Sequence, residues 1–276
     1  MVRIIRRLFR SKSGLVGFVL ISLMCIIATF APYLAPDDPT KQDLSRSLEP
    51  PSWSSIMGRD EFGRDILSRV IFGTRISLFT GFVAVGIGVA IGIPIGAISG
   101  FYGGWVDIIL QRIIDTLMTF PGILLAIVVI TILGIGLEKA MVAVGISSIP
   151  VFARLMRASV MAVKEEDFVE ASRASGAGNL RILTRHVLIN SLSPVLVQAS
   201  FQFGSSILWA AALSFLGLGA QPPAPEWGAM LASGKTYIFI APHVITFPGL
   251  AIMIAVLGFN LLGEALRDIL DPRIPL

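Results

Sequence analysis

Residues 76–100 read ISLFTGFVAVGIGVAIGIPIGAISG, 25 consecutive residues without a charged side chain. A helix needs about 20 apolar residues to cross the hydrocarbon core of a bilayer, so this run predicts a membrane span. Inside it Gly88, Gly92, Gly96 and Gly100 recur every fourth residue. On a helix they make one smooth strip that lets another helix backbone approach closely. Internal packing is the first reading of the strip, and an interface that slides as the protein works is compatible with it. Comparable apolar runs lie at about 15–34, 114–135, 139–160, 190–216 and 244–265, so six spans are expected. Pro94, Pro121, Pro194 and Pro248 fall within or at the ends of these runs, where a missing backbone donor favours a kink.

The composition agrees. Apolar residues make up 54% of the 276, charged residues 14%, and the mean hydropathy is +0.81. The class is an all-α polytopic membrane protein; continuous rather than alternating apolar runs argue against a β-barrel. The single cysteine, Cys25, lies within the first run and excludes an intrachain disulfide. That run, Leu15–Leu34, follows Arg3, Arg6, Arg7, Arg10 and Lys12 in the manner of a signal peptide. Its 20 residues exceed the roughly 7–15 of a signal core, so it reads as an uncleaved first span.

The net charge of +4 is a matter of topology rather than of nucleic-acid binding, because the basic residues flank apolar runs. With the N-terminus in the cytoplasm, 14 of the 22 Lys and Arg residues fall on that side. Both termini and the segment 164–186 are then expected to be cytoplasmic, in a bacterial inner membrane. Segments 36–68 and 217–243 are expected to be exposed to water on the opposite face. The chain divides into residues 1–75, holding the first span and first outer segment, and a five-span core at 76–276.

Catalytic chemistry is not evident. His186 and His243 fall on opposite faces in this topology and cannot share a metal, and no GxxxxGK[ST] phosphate cradle is present. These absences predict a chain that is not an enzyme and binds no metal. Polar groups within the membrane are sparse: Asp115, Gln198, Gln202 and Asn260, with Asp107 and Glu264 nearer the edges. An ion-coupled carrier acting alone ordinarily shows charge at mid-membrane; here the middles of the spans read as uncharged. Gln198, Gln202 and Asn260 are candidates for a translocation path, against the plainer reading of helix–helix hydrogen bonds.

The polar exception is KEEDFVEASRASGAGNLRILTRH at 164–186. Glu165, Glu166 and Asp167 suit the positive end of a helix dipole. Phe168, Ala171, Ser172 and Ser175 share one helical face. Glu170 and Arg173 are spaced to pair, Gly176 and Gly178 stop the helix, and Asn179 is placed to cap the next. From the residues alone two readings stay open: a hairpin gripped by a partner, and a membrane-surface loop without one.

EASRASG at 170–176 resembles the Glu-Ala-Ala loop of permease subunits in ATP-binding-cassette importers. GRDEFGRDILSRVIFGTRISL at 58–78, AALSFLGLGAQPPAPEWGAML at 211–231 and FPGLAIMIAVLGFNLLGEALRDILDPR at 247–273 resemble the dipeptide/oligopeptide/nickel branch, C-type subunit. The resemblance covers nearly the whole chain. It implies the type I importer permease fold, with Phe168, Glu170, Ala171, Ser172, Arg173 and Gly176 in a coupling loop that docks on an ATPase. Ser172 stands where the motif has alanine, and Ile189 where relatives carry proline. The resemblance also implies a B-type permease partner, two ATPase subunits holding ATP and Mg2+, and an extracytoplasmic binding protein. That protein is expected to dock on the outer segments, whose Trp53, Trp227 and Tyr237 suit either docking or anchoring at the membrane interface. Cofactors on this chain and nucleic-acid partners are not expected; lipid is. The cargo is expected to be di- or oligopeptide.

Overall fold

The computed structural model describes residues 11–270. Arg3, Arg6, Arg7, Arg10 and Arg273, which carry part of the orientation argument, lie outside them. The described residues are mainly helical and hold no β-strand, only two isolated bridges in the segment after the first helix. Five helices are long and apolar enough to cross a bilayer: α1 (Lys12–Leu34), α2 (Ile66–Tyr102), α5 (Leu137–Val163), α9 (Ser193–Phe215) and α11 (His243–Leu270). Between α2 and α5 stands a broken pair, α3 (Gly104–Met118) and α4 (Gly122–Leu133), bent by 92°.

The third expected span, 114–135, is therefore not one straight helix. Pro121 has no N–H to donate and disfavours helical backbone at Phe120 before it, so α3 ends at Met118 and α4 starts afresh. Alone, α4 is about 18 Å long, short of the roughly 30 Å of a bilayer core. Pro94 and Pro248, by contrast, sit inside unbroken helices, and Pro194 in the first turn of α9.

Helix α2 begins ten residues before its expected start at 76 and runs unbroken through residue 75. Asp65 caps it, its carboxylate accepting from the Ser68 N–H at 2.7 Å and the Ser68 hydroxyl at 2.8 Å. At 37 residues, about 55 Å, it extends well beyond the hydrocarbon core. Arg69 is tolerated in the projecting end because Asp60 faces it at 3.4 Å and the Pro39 carbonyl accepts from it at 2.9 Å.

The glycine strip of α2 is the seam of the bundle. Gly88, Gly92, Gly96 and Gly100 lie directly on Ser148, Ile149, Phe152, Ala153, Met156, Arg157 and Val160 of α5. A second seam joins α1 to α11, where Gly17 meets the backbone of Gly258, Leu261 and Leu262. The opposite side of α1, with Val16, Val19, Leu23, Ile26 and Phe30, stays exposed, as a lipid-facing surface requires.

The two outer segments are folded on each other rather than freely solvated. Asp60 is the hub of the first, binding Arg64 at 2.7 Å while accepting from the Phe62 and Arg64 amides. His243 at the start of α11 reaches the Arg59 carbonyl at 3.2 Å. Trp227, a candidate anchor or docking residue, is 1% exposed and fills neither role. It packs on Gly73, and its indole N–H donates to the Val70 carbonyl at 3.1 Å. Trp53 is fully exposed, and Tyr237 is partly buried.

Candidate functional site

The segment 164–186 folds as the hairpin its spacing predicts, with α6 at Asp167–Ala174 and α7 at Asn179–Ile182. A π-turn over Leu183–Val187 then leads to α8 (Leu188–Asn190) and α9. Asp167 and Glu170 occupy the first turn of α6, where carboxylates oppose the helix dipole. Gly176 has φ +83°, which glycine adopts without strain. The Ala177 N–H reaches the Ser172 carbonyl at 3.1 Å and the Gly176 N–H the Arg173 carbonyl at 3.0 Å. That is a Schellman stop, and it satisfies carbonyls the helix end leaves open.

One residue of α6 is buried, and the sequence reading did not single it out. Val169 is 0% exposed and joins Val160, Ile182, Leu183 and Val187 in a cluster that continues to Phe152 and Met156 of α5 and Val195 of α9. Burying a valine stabilises by roughly 1.5–3 kcal/mol, so the hairpin is pinned to the bundle by an apolar peg. Helical spacing carried no signal of it, since the positions three and four residues on are Ser172 and Arg173 and its apolar partners come from other elements.

The face carrying Phe168, Ala171, Ser172 and Ser175 is left on the surface. The Ser172 and Ser175 hydroxyls donate to the Phe168 and Ala171 carbonyls at 2.8 and 2.9 Å, so the face is small in relief and asks for no further hydrogen bonds. It borders an open depression of about 420 Å³ with Gly176, Arg181 and His186 in its lining. Two expectations fail. Glu170 and Arg173 form no ion pair among the described residues, which leaves both charges free on the surface. Gly178, not Asn179, is the N-cap residue, and no side chain bonds there. Ile189 sits in helical backbone, and the bend into α9 falls after it, at Ser191 and Leu192.

Farther along α5 lies an open depression of about 670 Å³ between α3, α5 and α9, largely apolar but edged by charged side chains. Arg154 and Arg157, which read as markers of topology, project from within α5 and meet carboxylates of α3 there. Arg157 forks onto Asp107 at 2.6 and 2.5 Å. The Ser99 hydroxyl also donates to Asp107, and Gln111 donates to Ser99 at 2.8 Å. Arg154 makes one contact, to Asp115 at 2.6 Å, with about half of each side chain exposed. Charge thus enters the bundle in compensated pairs, which corrects the reading of uncharged span interiors. Of the candidate path residues, Gln198 lines this depression. Gln202 is buried, with its Nε2 unpartnered among the described residues, and Asn260 is exposed on α11; neither lines it.

At the far end of the bundle, Glu226 caps α10 (Trp227–Gly234), accepting from the Gly228 and Ala229 amides at 3.0 and 2.8 Å. Burial pushes its carboxyl above the usual range, against the pull of those amides. Burial raises the Glu61 carboxyl likewise.

A family model described as binding-protein-dependent transport system inner membrane component matches residues 92–275. Another, the N-terminal TM domain of oligopeptide transport permease C, matches residues 1–51. A dipeptide transport system permease protein of Alkalihalophilus pseudofirmus is 46% identical over 97% of this chain and 88% of its own. The Haemophilus influenzae protein described in the same words is 44% identical, over 96% and 92%. A glutathione transport system permease protein of Pectobacterium atrosepticum is 48% identical, over 98% and 90%. Among solved structures, the MetNI methionine ABC transporter in an inward-facing conformation superposes with a TM-score of 0.60. It is 22% identical over 74% of this chain and 97% of that one, a likeness of fold.

Proposed function

The chain belongs to the family of binding-protein-dependent transport system inner membrane components, and on that premise we propose that it is the C-type permease of an ATP-driven peptide importer. It is a multi-pass inner-membrane protein with the fold of an ABC importer permease. Its relatives carry dipeptides and glutathione by name, and glutathione is itself a short peptide. A B-type permease completes the path, two ATPase subunits hold ATP and Mg2+, and a binding protein delivers cargo at the face built from segments 36–68 and 217–243. The chain hydrolyses nothing itself. Both termini and the hairpin face the cytoplasm.

The observation that supports this most is the hairpin. Val169 anchors it in the apolar cluster that continues to α5 and α9, while the low-relief face and the free Glu170 and Arg173 lie on the surface. An ATPase that grips this face moves the peg, and with it the helices that border the larger depression. The test is to purify Glu170→Ala and Gly176→Pro variants with all partners co-expressed and reconstitute them. The expected outcome is an inserted permease with ATPase subunits lost or hydrolysis no longer driving uptake. Wild-type uptake in both variants would sink the assignment.

A further inference from the structure

The hairpin accounts for energy input and leaves the depression between α3, α5 and α9 without a task. Its two ion pairs differ in construction. Asp107–Arg157 is a two-point fork further tied to Ser99 and Gln111, and it holds α3 against α2 and α5. Asp115–Arg154 has a single contact between half-exposed partners. With one contact in place of two, it is the more readily opened of the pairs. The remaining Asp115 oxygen and the remaining Arg154 nitrogens have no protein partner among the described residues and border open space.

Arg154 lies nine residues before Val163 at the end of α5, about 13 Å along the helix axis. The pair joins helices long and apolar enough to cross a membrane, α3 as part of a broken span, and a charge left unpaired between such helices is costly. A molecule entering the depression must therefore keep the charges balanced. A zwitterion does so, because its ammonium and carboxylate replace one ion pair with two. The Gln198 side chain of α9 lines the same depression with capacity to meet a peptide group, and Met118, Val151 and Leu155 give it apolar surface. The depression, about 670 Å³, is open on one side.

We infer that Asp115 and Arg154 form a subsite for the two charged ends of a short peptide in transit, the ammonium on Asp115 and the carboxylate on Arg154. This rests on the peptide-importer reading above. No covalent step is involved; the pair opens, the zwitterion bridges it, and the pair recloses on release.

The test uses the complete reconstituted importer with Ala-Ala, its C-terminal amide and its N-acetyl derivative, each at a concentration that saturates the binding protein. The wild type is expected to favour Ala-Ala over both derivatives by about tenfold or more, the equivalent of one further charge interaction. In Arg154→Gln the preference over the amide should fall below about twofold, while the preference over the acetyl derivative persists. Asp115→Asn should do the reverse. A merely structural pair would shift both preferences together or neither, and either result overturns the subsite alone. A wild-type importer that takes up none of the three refutes the peptide reading and the subsite with it.

Discussion

Substituting Gly92 tests the seam on which the bundle is built. A Cβ at Gly92 would stand 2.7 Å from the Phe152 Cβ, 2.8 Å from the Ile149 carbonyl oxygen and 3.0 Å from the Ala153 nitrogen. The oxygen and nitrogen belong to the backbone of α5 and cannot rotate aside. Ordinary contact begins near 3.4 Å, so α2 and α5 must separate by about 0.6 Å at this point. Overpacking of that kind costs about 1–3 kcal/mol, partly offset by alanine's better helix propensity. Gly86, six residues earlier on the same helix, has nothing within 4 Å of a Cβ. There alanine should be neutral or stabilise by up to about 1 kcal/mol. Thermal unfolding of the purified complex compares the two, at roughly 2–4 °C per kcal/mol for a chain approaching this size. Gly92→Ala should melt several degrees lower and Gly86→Ala at or above the wild type. Equal melting of the two variants would refute the close approach of α2 and α5.

Val169→Ala should remove about 2 kcal/mol of anchoring, so amides of residues 167–187 should exchange with deuterium faster while those of α2 and α5 keep wild-type protection. Unchanged exchange would remove the peg from the argument. Glu226 offers a pH test. Its folded carboxyl titrates above the unfolded value because burial opposes ionisation. The stability it contributes is thus fully present below the unfolded value and lost as pH rises through the folded one. Glu226→Gln removes that descent, and melting temperature measured from about pH 4 to about pH 8 should fall less steeply than in the wild type. A parallel fall in both would show that other groups set the slope.

Much of the molecule was legible without coordinates because its signals are local. Long apolar runs announce membrane helices wherever they fold, since the hydrocarbon core demands that backbone groups be satisfied within the helix. The four-residue glycine spacing gave the strip on α2, though not the helix it meets. Acidic first turn, small face and glycine stop described α6 before its position was known. These readings depend on one or two turns of chain, and helical periodicity carries them.

Other features depend on what stands opposite, and periodicity is silent about that. The start of α2 at Ile66 required Asp60 and the Pro39 carbonyl to receive Arg69, a residue that by charge alone reads as outside the helix. Trp227 was an interfacial residue by composition and a core residue by position, because Gly73 makes room for its ring. The break at Pro121 was visible as a proline, but the 92° bend was not, since other prolines here leave their helices intact. Above all, Asp115 and Arg154 are 39 residues apart. The sequence alone determined that this chain is a helical membrane protein with one exposed, glycine-stopped hairpin. Only the tertiary structure decided that the hairpin hangs on Val169, and that Arg154, counted as a marker of topology, meets Asp115 of another helix in a half-exposed pair. The physical reason is that a helix records its own period in its residues, whereas an ion pair between helices is recorded only in the distance between them.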